Sequence, residues 1–381
     1  MQLSDPSLRP KLAYVITEDW FFASHFLPMA RAAIEQGFEV VVITRVRDHA
    51  DRIAETGGRV ISLEAERRKL NPLSLGRTAL RLSRILKRER PDLVHCIAAQ
   101  SIVVGGAAAA LAGIDRRIYA LTGLGRLGAR RDVVGATERT LLRTVVRQGI
   151  QSKRTRYLFE NPDDSHLLGL HPADPRVTIV GGAGVDPEIF APSPPPAGSP
   201  FRIAIVARML WSKGIDLAVE AVRQARGRGA DVTLSLYGAP DPSNRRAIPV
   251  AQLEEWSALD GIVWHGTVRD VRSVWREHHA ASLPSRGGEG LPRSLLEAAA
   301  CGRAILTTDV PGCRSFVRDG IEGRVVPCEA DALAEAMVRL AGDRELVERM
   351  GNAARERVLS GFTERHVMET VKSLYADLLA R

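Results

Sequence analysis

GGAGVDPEIFAPSPPPAGSP, residues 181–200, is a stretch where hydrophobic periodicity stops and proline and glycine crowd together. Such a segment cannot continue a helix or a strand ladder, because proline lacks the backbone donor and glycine costs conformational entropy in either element. It therefore divides the 381-residue chain into two parts, each long enough to bury its own core. The expected organisation is a first domain at residues 1–180, a linker at 181–200, a second domain at 201–362, and a terminal helix at 363–381 able to return to the first.

Working outward, apolar runs of strand length alternate with helix-like stretches on both sides. Before the linker, KLAYVIT, FEVVVIT, GRVISL, PDLVHCI, RRIYALT, TRYLFE and RVTIV read as strands, with helices over residues 24–36 and 75–88. After it come FRIAIVA, DVTLSLYG, GIVWHG, HAASLPS, RAILTT and GRVVP, and helical patterns close the chain from Asp331. Alternation of this kind builds parallel sheets covered by helices. The fold class is thus α/β, with two Rossmann-like doubly wound domains.

Charge and composition narrow the function. The net charge of +8 sits almost wholly in the first half, and residues 67–156 carry 20 basic against 5 acidic side chains. A field of that sign favours an anionic partner. A nucleic-acid-binding protein is one reading, but aromatic residues make up only 5% and no helix-turn-helix, stacking platform or zinc pattern is present. The Ala- and Gly-rich stretch 97–114, interrupted by Gln100 and Ser101, is too short for a membrane span and reads as a helix buried on a sheet. Cys96, Cys301, Cys313 and Cys328 have no C-x-x-C spacing, so neither zinc nor a disulfide framework is expected. No secretory signal is read in residues 1–10, which gives a cytoplasmic expectation.

GLGRLG, residues 123–128, matches the dinucleotide pattern G-x-G-x-x-G but does not follow the first strand and opens no helix. It reads as a glycine loop at a strand's carboxyl end, where ligands of open α/β sheets lie, rather than as a dehydrogenase motif. The second half holds a fuller constellation. Arg208 and Lys213 follow the strand FRIAIVA, and Gly214 opens the next helix, so both cations stand where phosphate oxygens are favoured. In EGLPRSLLE, Pro292 fits a first helical turn, Glu289 precedes it, Glu297 falls on the second turn, and Gly290 and Leu291 bring backbone N–H groups to the helix mouth. Two acids there can accept hydrogen bonds from two polyols, or can merely complement the helix dipole.

These residues carry a resemblance. EGLPRSLLEAAACGRAILTTDVPGCRSFVRDGIEGRVVP resembles the E-x7-E region of retaining GT-B glycosyltransferases of family 4, and ARMLWSKGIDLAVEA resembles their R-x4-K segment. PDLVHCIAAQ, YALTGLGRLG and YLFENPDD are similar to the branch that builds bacterial surface polysaccharides and lipid-linked glycans. The resemblance implies that the two domains face across a cleft, and that Arg208 and Lys213 bind the donor diphosphate, Glu297 the ribose and Glu289 the transferred sugar. By the same resemblance Gly290 and Leu291 offer amides to the donor and Gly266 lines the base pocket. Thr122 stands where many members have a histidine, and TEDWFFASHFLP replaces their Gly-Gly loop. His25, His95, Thr122 and Gly123 are accordingly candidates on the acceptor side. A capping or core role is an equal reading for His25, and a hydrogen-bonded structural role is the favoured one for His95.

No D-x-D occurs, so neither a metal nor a cofactor is expected beyond the nucleotide-sugar substrate. The expected activity is metal-independent retaining transfer of a hexosyl or N-acetylhexosaminyl group. A UDP-sugar would be the donor and a polyprenyl-diphosphate-linked glycan the acceptor, in cell-surface polysaccharide synthesis. The basic helix LGRTALRLSRILKRERP and the arginines from Arg126 to Arg156 suggest peripheral contact with the anionic inner face of the cell membrane, and no nucleic acid. The alternative is a sugar-nucleotide epimerase or phosphorylase of the same architecture.

Overall fold

The computed structural model describes residues 9–380 except 64–71, 124, 126, 127, 129–131, 242, 243 and 245. The chain forms two compact units, Met1–Gly184 with Glu364–Arg381, and Val185–Thr363.

The first unit runs β1 (Lys11–Glu18), α1 (Asp19–His25), α2 (Leu27–Glu35), β2 (Glu39–Arg45), α3 (Ala50–Ala54), β3 (Arg59–Ser62), α4 (Pro72–Glu89), β4 (Leu93–Ile97) and α5 (Ala99–Ala112). It continues with β5 (Arg117–Leu121), α6 (Val133–Thr144), a π-turn (Val145–Gly149), β6 (Thr155–Phe159), α7 (Pro162–Leu167) and β7 (Val177–Ile179). All seven strands read from the sequence pair in parallel in the order β3-β2-β1-β4-β5-β6-β7. Runs such as Val40 to Ile43 are buried on both faces, which is why they are continuously apolar rather than alternating.

The single helix expected over residues 24–36 is two. α1 starts directly after β1, the chain breaks at Phe26, and α2 restarts with Pro28 in its first turn. The Ala- and Gly-rich stretch is α5, buried against the sheet. Its small residues permit close approach: a Cβ on Gly105 would sit 2.5 Å from Cys96 Sγ, and one on Gly106 2.6 Å from the Tyr119 hydroxyl. Among the described residues no helix is long and apolar enough to cross a membrane.

The second unit runs β8 (Phe201–Val206), a 3₁₀ turn (Trp211–Lys213), α8 (Ile215–Gly227), β9 (Val232–Tyr237), α9 (Val250–Ser257), β10 (Ile262–Gly266), α10 (Val271–Glu277) and β11 (Ala280–Leu283). There follow α11 (Arg293–Ala300), β12 (Ala304–Thr308), α12 (Pro311–Arg314), β13 (Gly323–Val326), α13 (Ala330–Gly342) and α14 (Arg344–Gly361). The six strands are parallel in the order β10-β9-β8-β11-β12-β13. In both sheets the first strand lies inside and the order reverses beside it, at β1/β4 and at β8/β11.

The Pro-rich stretch is strapped to the second unit through its carbonyls. Arg303 Nη2 donates to Ser193 O at 2.6 Å, His279 Nε2 to Pro196 O at 2.9 Å, and Arg344 Nη2 to Gly198 O at 2.5 Å. His279 Nδ1 accepts the Arg202 N–H at 2.9 Å, so the ring must be neutral, and burial lowers its pKa to about 4.

The last helix, α15 (Glu364–Ala380), packs on α2 and returns to the core of the first unit, burying Val367, Val371, Leu374, Tyr375 and Leu378. That spacing is one helical stripe, and each fully buried apolar side chain contributes about 1.5–3 kcal/mol. α15 also meets the basic span. Arg156, expected at the surface, is buried instead and pairs with Asp377 at 3.0 Å. Arg147 is likewise engaged, donating to Gly169 O at 3.1 Å. Part of the positive charge thus satisfies internal acceptors rather than facing solvent. Arg126, Arg130 and Arg131 lie outside the described residues, as do Leu124, Arg126 and Leu127 of the glycine loop.

Candidate functional site

The carboxyl edge of the second sheet gathers the sequence-predicted residues of this unit. β8 ends at Val206, and the chain then crosses the edge of β9, with Ala207 N bonded to Tyr237 O at 3.0 Å and Met209 N to Ala239 O at 3.1 Å. Arg208, between them, pairs with Asp241 at 3.1 Å. The 3₁₀ turn follows and brings Lys213 to Gly214, which adopts φ +69° and caps α8. Only glycine fits, since a Cβ there would lie 1.9 Å from Pro284 O.

β11, on the other side of β8, leads into Ser285 and Glu289. Lys213 Nζ lies 2.8 Å from both Glu289 oxygens, and Ser285 Oγ donates to Oε1 at 2.7 Å. Arg286 ties the same two segments together. It makes paired 2.7 Å bonds to the Asp216 carboxylate and another to Trp211 O. Below them, Thr307 and Thr308 on β12 hold the backbone after β11 through Leu283 O and Ser285 O. The Lys213–Glu289 pair therefore spans the gap between β8 and β11, the point where the strand order reverses and where open α/β sheets place ligands.

Pro292 is the residue before α11 rather than its first, with ψ 117°, and helical geometry begins at Arg293. Proline's missing N–H loses nothing at that position, which is why the shift is small. Gly290 and Leu291 are buried at this helix start. Glu297 sits one turn in and does not join the Lys213 cluster. It is buried, accepts from Arg293 Nε at 2.8 Å, and burial pushes its carboxyl pKa up while Arg293 opposes that shift. Gly266 ends β10 with φ +69°, and its carbonyl accepts from Gly238 N at 2.7 Å. Next to it the His265 ring stacks on Tyr237 at 4.5 Å.

The structure thus brings Lys213 and Glu289 together, gives Arg208 a separate acid, and gives Glu297 a separate cation. Ser285, Arg286, Asp216 and Asp241 escaped the sequence reading. The available signal was position: Ser285 and Arg286 come just after a strand, with Pro284 between, and precede Glu289. Among the described residues no group of three or more His, Cys, Asp or Glu side chains could hold a metal.

In the first unit, Thr122 and Gly123 follow β5 at its carboxyl end. Thr122 Oγ1 is buried with no hydrogen-bond partner among the described residues, and Gly123 has φ +88°. His25 closes α1, its Nδ1 2.6 Å from Ser24 Oγ and its ring 4.8 Å from Phe21. His95 lies in the core. Tyr14 donates its proton to Met29 O at 2.9 Å, so the 2.6 Å contact with Tyr375 is a bond donated by Tyr375. Tyr375 then has no proton left for His95 Nδ1 at 3.0 Å, and the imidazole must be the donor. Burial lowers the His95 pKa to about 3. The neutral Nδ1–H form is fixed, in keeping with the structural role favoured from sequence.

Sequence and fold comparisons agree with this architecture. Two parallel-sheet α/β units are the plan of the GT-B glycosyltransferases. HepE from Anabaena, solved with UDP-glucose, superposes with a TM-score of 0.78 at 14% identity over 96% of this chain and 99% of that one, a likeness of fold. Residues 200–343 match the family model for glycosyl transferases group 1, and residues 11–145 that for glycosyl transferase 4-like proteins. Together the two matches span most of the chain and give it a group 1 glycosyltransferase domain in the second half and a glycosyl transferase 4-like domain in the first. One relative is the N,N'-diacetylbacillosaminyl-diphospho-undecaprenol alpha-1,3-N-acetylgalactosaminyltransferase of Campylobacter jejuni, 23% identical over 92% of this chain and 94% of its own length. Another is the putative colanic acid biosynthesis glycosyltransferase WcaL of Salmonella typhimurium, 29% identical over 52% of this chain. The chain spans about half the length of that relative, 51%.

Proposed function

We propose that the protein transfers a hexosyl or N-acetylhexosaminyl group, with retention and without a metal, from a UDP-sugar to a polyprenyl-diphosphate-linked glycan. The observation that carries the reading is the Lys213–Glu289 pair, 2.8 Å at both oxygens, at the reversal point of the second sheet. Arg208 and Lys213 receive the diphosphate and neutralise the charge that builds on it as the sugar–phosphate bond breaks. Glu289 orients Lys213 and accepts from hydroxyls of the departing sugar, while Glu297 accepts from the ribose. The acceptor hydroxyl enters on the face the nucleotide leaves, which preserves the anomeric configuration.

The acceptor class is supported by the bacterial relative that acts on a diphospho-undecaprenol substrate. Peripheral membrane contact is supported by α4. Its outward face carries Arg77, Arg81, Arg84, Lys87 and Arg88, and Leu73 and Leu80 are 76% and 52% exposed. The test is release of UDP from a panel of UDP-sugars with and without a lipid-linked glycan, with the product anomer read by NMR. Release that requires the acceptor and gives the donor's anomeric configuration is expected. Acceptor-independent interconversion of the sugar nucleotide would instead identify an epimerase.

A further inference from the structure

The first sheet has a second functional-looking region, at the edge opposite Thr122 and Gly123. Between the end of α5, the π-turn and the starts of β5 and β6 lies an open pocket of about 550 Å³ whose polar lining is Asp115, Arg117, Gln151, Ser152, Lys153 and Arg154. Arg117 is only 4% exposed. Two backbone carbonyls fix its guanidinium, Ile114 O at 2.6 Å from Nε and Ile150 O at 2.7 Å from Nη1. Its nearest carboxylate, Asp115, lies 3.9 Å from Nη2, beyond hydrogen-bonding distance, and is itself 73% exposed. A nearly buried cation ordinarily has a close counter-ion.

The rest of the lining repeats the imbalance. Lys153 has no ion-pair partner among the described residues. Gln151 Oε1 accepts from Tyr157 at 3.1 Å, which leaves the amide N–H groups as its donors. The Ser152 hydroxyl donates to Asp115 O at 2.5 Å and accepts the Arg154 backbone N–H at 3.1 Å, so it is engaged within its own turn. Two cations without a close acid, Arg117 and Lys153, against one solvated carboxylate, with a pre-set planar guanidinium at the back, match an oxyanion carrying more than one charge.

We propose that this pocket binds a phosphate group, carried by a soluble phosphate ester or by a lipid headgroup, at a site separate from that of the sugar nucleotide. Phosphate takes the free Nη2 edge of Arg117 and the Lys153 ammonium, with Gln151 donating from the side and Arg154 at the rim. The inference does not rest on the transferase chemistry.

Its test is thermal unfolding of the full chain in sodium phosphate against sodium chloride of equal ionic strength, for the wild type, Lys153→Glu and Lys213→Ala. Ligand binding to the folded state raises the melting temperature. The expected result is a phosphate-specific rise of a few degrees in the wild type that persists in Lys213→Ala and is lost in Lys153→Glu. Lys153 is exposed, so this substitution leaves the fold intact. A rise that chloride reproduces, or one lost in Lys213→Ala and kept in Lys153→Glu, overturns the site. Sedimentation with phosphatidylglycerol vesicles then separates the carriers. Binding lost in Lys153→Glu, and competed from the wild type by glycerol phosphate, assigns the headgroup. Unchanged vesicle binding, with phosphate stabilisation lost, assigns a soluble ester.

Discussion

Lys213 and Glu289, 76 residues apart in the chain, meet with Nζ 2.8 Å from each carboxylate oxygen, and so close the gap between β8 and β11. The pair is both a structural tie and the proposed seat of the diphosphate. Those roles separate in a double-mutant cycle. Lys213→Ala is expected to slow transfer by ~10²–10³-fold, the usual effect of removing a donor aimed at developing charge. It also destabilises the fold by leaving Glu289 without its counter-ion. Adding Glu289→Gln recovers the stability but not the turnover. A double variant that regained wild-type kcat/KM would reduce the pair to a tie.

Gly214 controls how that lysine is presented. Gly214→Ala forces a Cβ into left-handed geometry and against Pro284 O, 1.9 Å away. The backbone term alone is about 1–2 kcal/mol, so a loss on the order of 2 kcal/mol or more is expected in urea unfolding. Turnover should fall with it, because relief of the clash moves either Lys213 or the segment leading to Ser285. Wild-type stability would mean that the Pro284 loop yields freely.

How much of this was legible in the sequence follows from where each signal resides. The strands of the two described sheets could be read because a strand buried on both faces leaves a largely apolar run, as at Val40 to Ile43 and Ile203 to Ile205. The split between α1 and α2 was hidden, since WFFASHFLP is mostly apolar, with Ser24 and His25 the exceptions, and only Pro28 marks the restart. At the site, Lys213 and Glu289 stood out because each lies beside a helix start. Asp216, Asp241 and Arg286 did not, for their partners are set by strand order, which one-dimensional spacing does not encode. The basic span misled in part because an arginine buried on a carbonyl, such as Arg117, has the same letter as one in solvent.

His95 and Tyr375 give a stability prediction in the first unit. Tyr375→Phe removes the hydroxyl that accepts from His95 Nδ1 and donates to Tyr14, so a buried N–H loses its acceptor. The expected cost is about 1–3 kcal/mol, measured by denaturant unfolding. A neutral result would require the His95 ring to have turned to another partner.

Asp164 sets a pH dependence of unusual sign. Burial raises its pKa to about 7, while Asn161 Nδ2 donates to it at 2.9 Å. The unfolded carboxyl titrates near 3.9, so between about 4 and 7 the folded chain holds a proton that the unfolded chain has released. The stabilisation from this group is complete below that window and is lost as pH rises through 7. His95 and His279 act in the other direction, since their folded pKa values of about 3 and about 4 cost stability as pH falls below ~6.5. Asp164→Asn keeps an acceptor for Asn161 without the charge. It should raise stability by on the order of 1–3 kcal/mol at pH 8 and leave it unchanged at pH 4. Equal effects at both pH values would show that Asp164 does not titrate with folding.

The outward face of α4 predicts how the protein meets an anionic bilayer. Arg84 and Arg88 are exposed on one side of the helix, four residues apart, while Leu82 and Leu86 point into the core. Each basic residue near an anionic surface contributes about 1 kcal/mol, so Arg84→Ala with Arg88→Ala should weaken binding to phosphatidylglycerol vesicles by roughly 30-fold at low salt. Raising ionic strength should shrink the difference between variant and wild type, because screening removes the same attraction. Leu73→Ser with Leu80→Ser supplies the complementary arm. These are exposed apolar side chains, and losing them should weaken binding at every salt concentration. Vesicle binding that neither pair alters would place the contact elsewhere on the chain or deny it altogether.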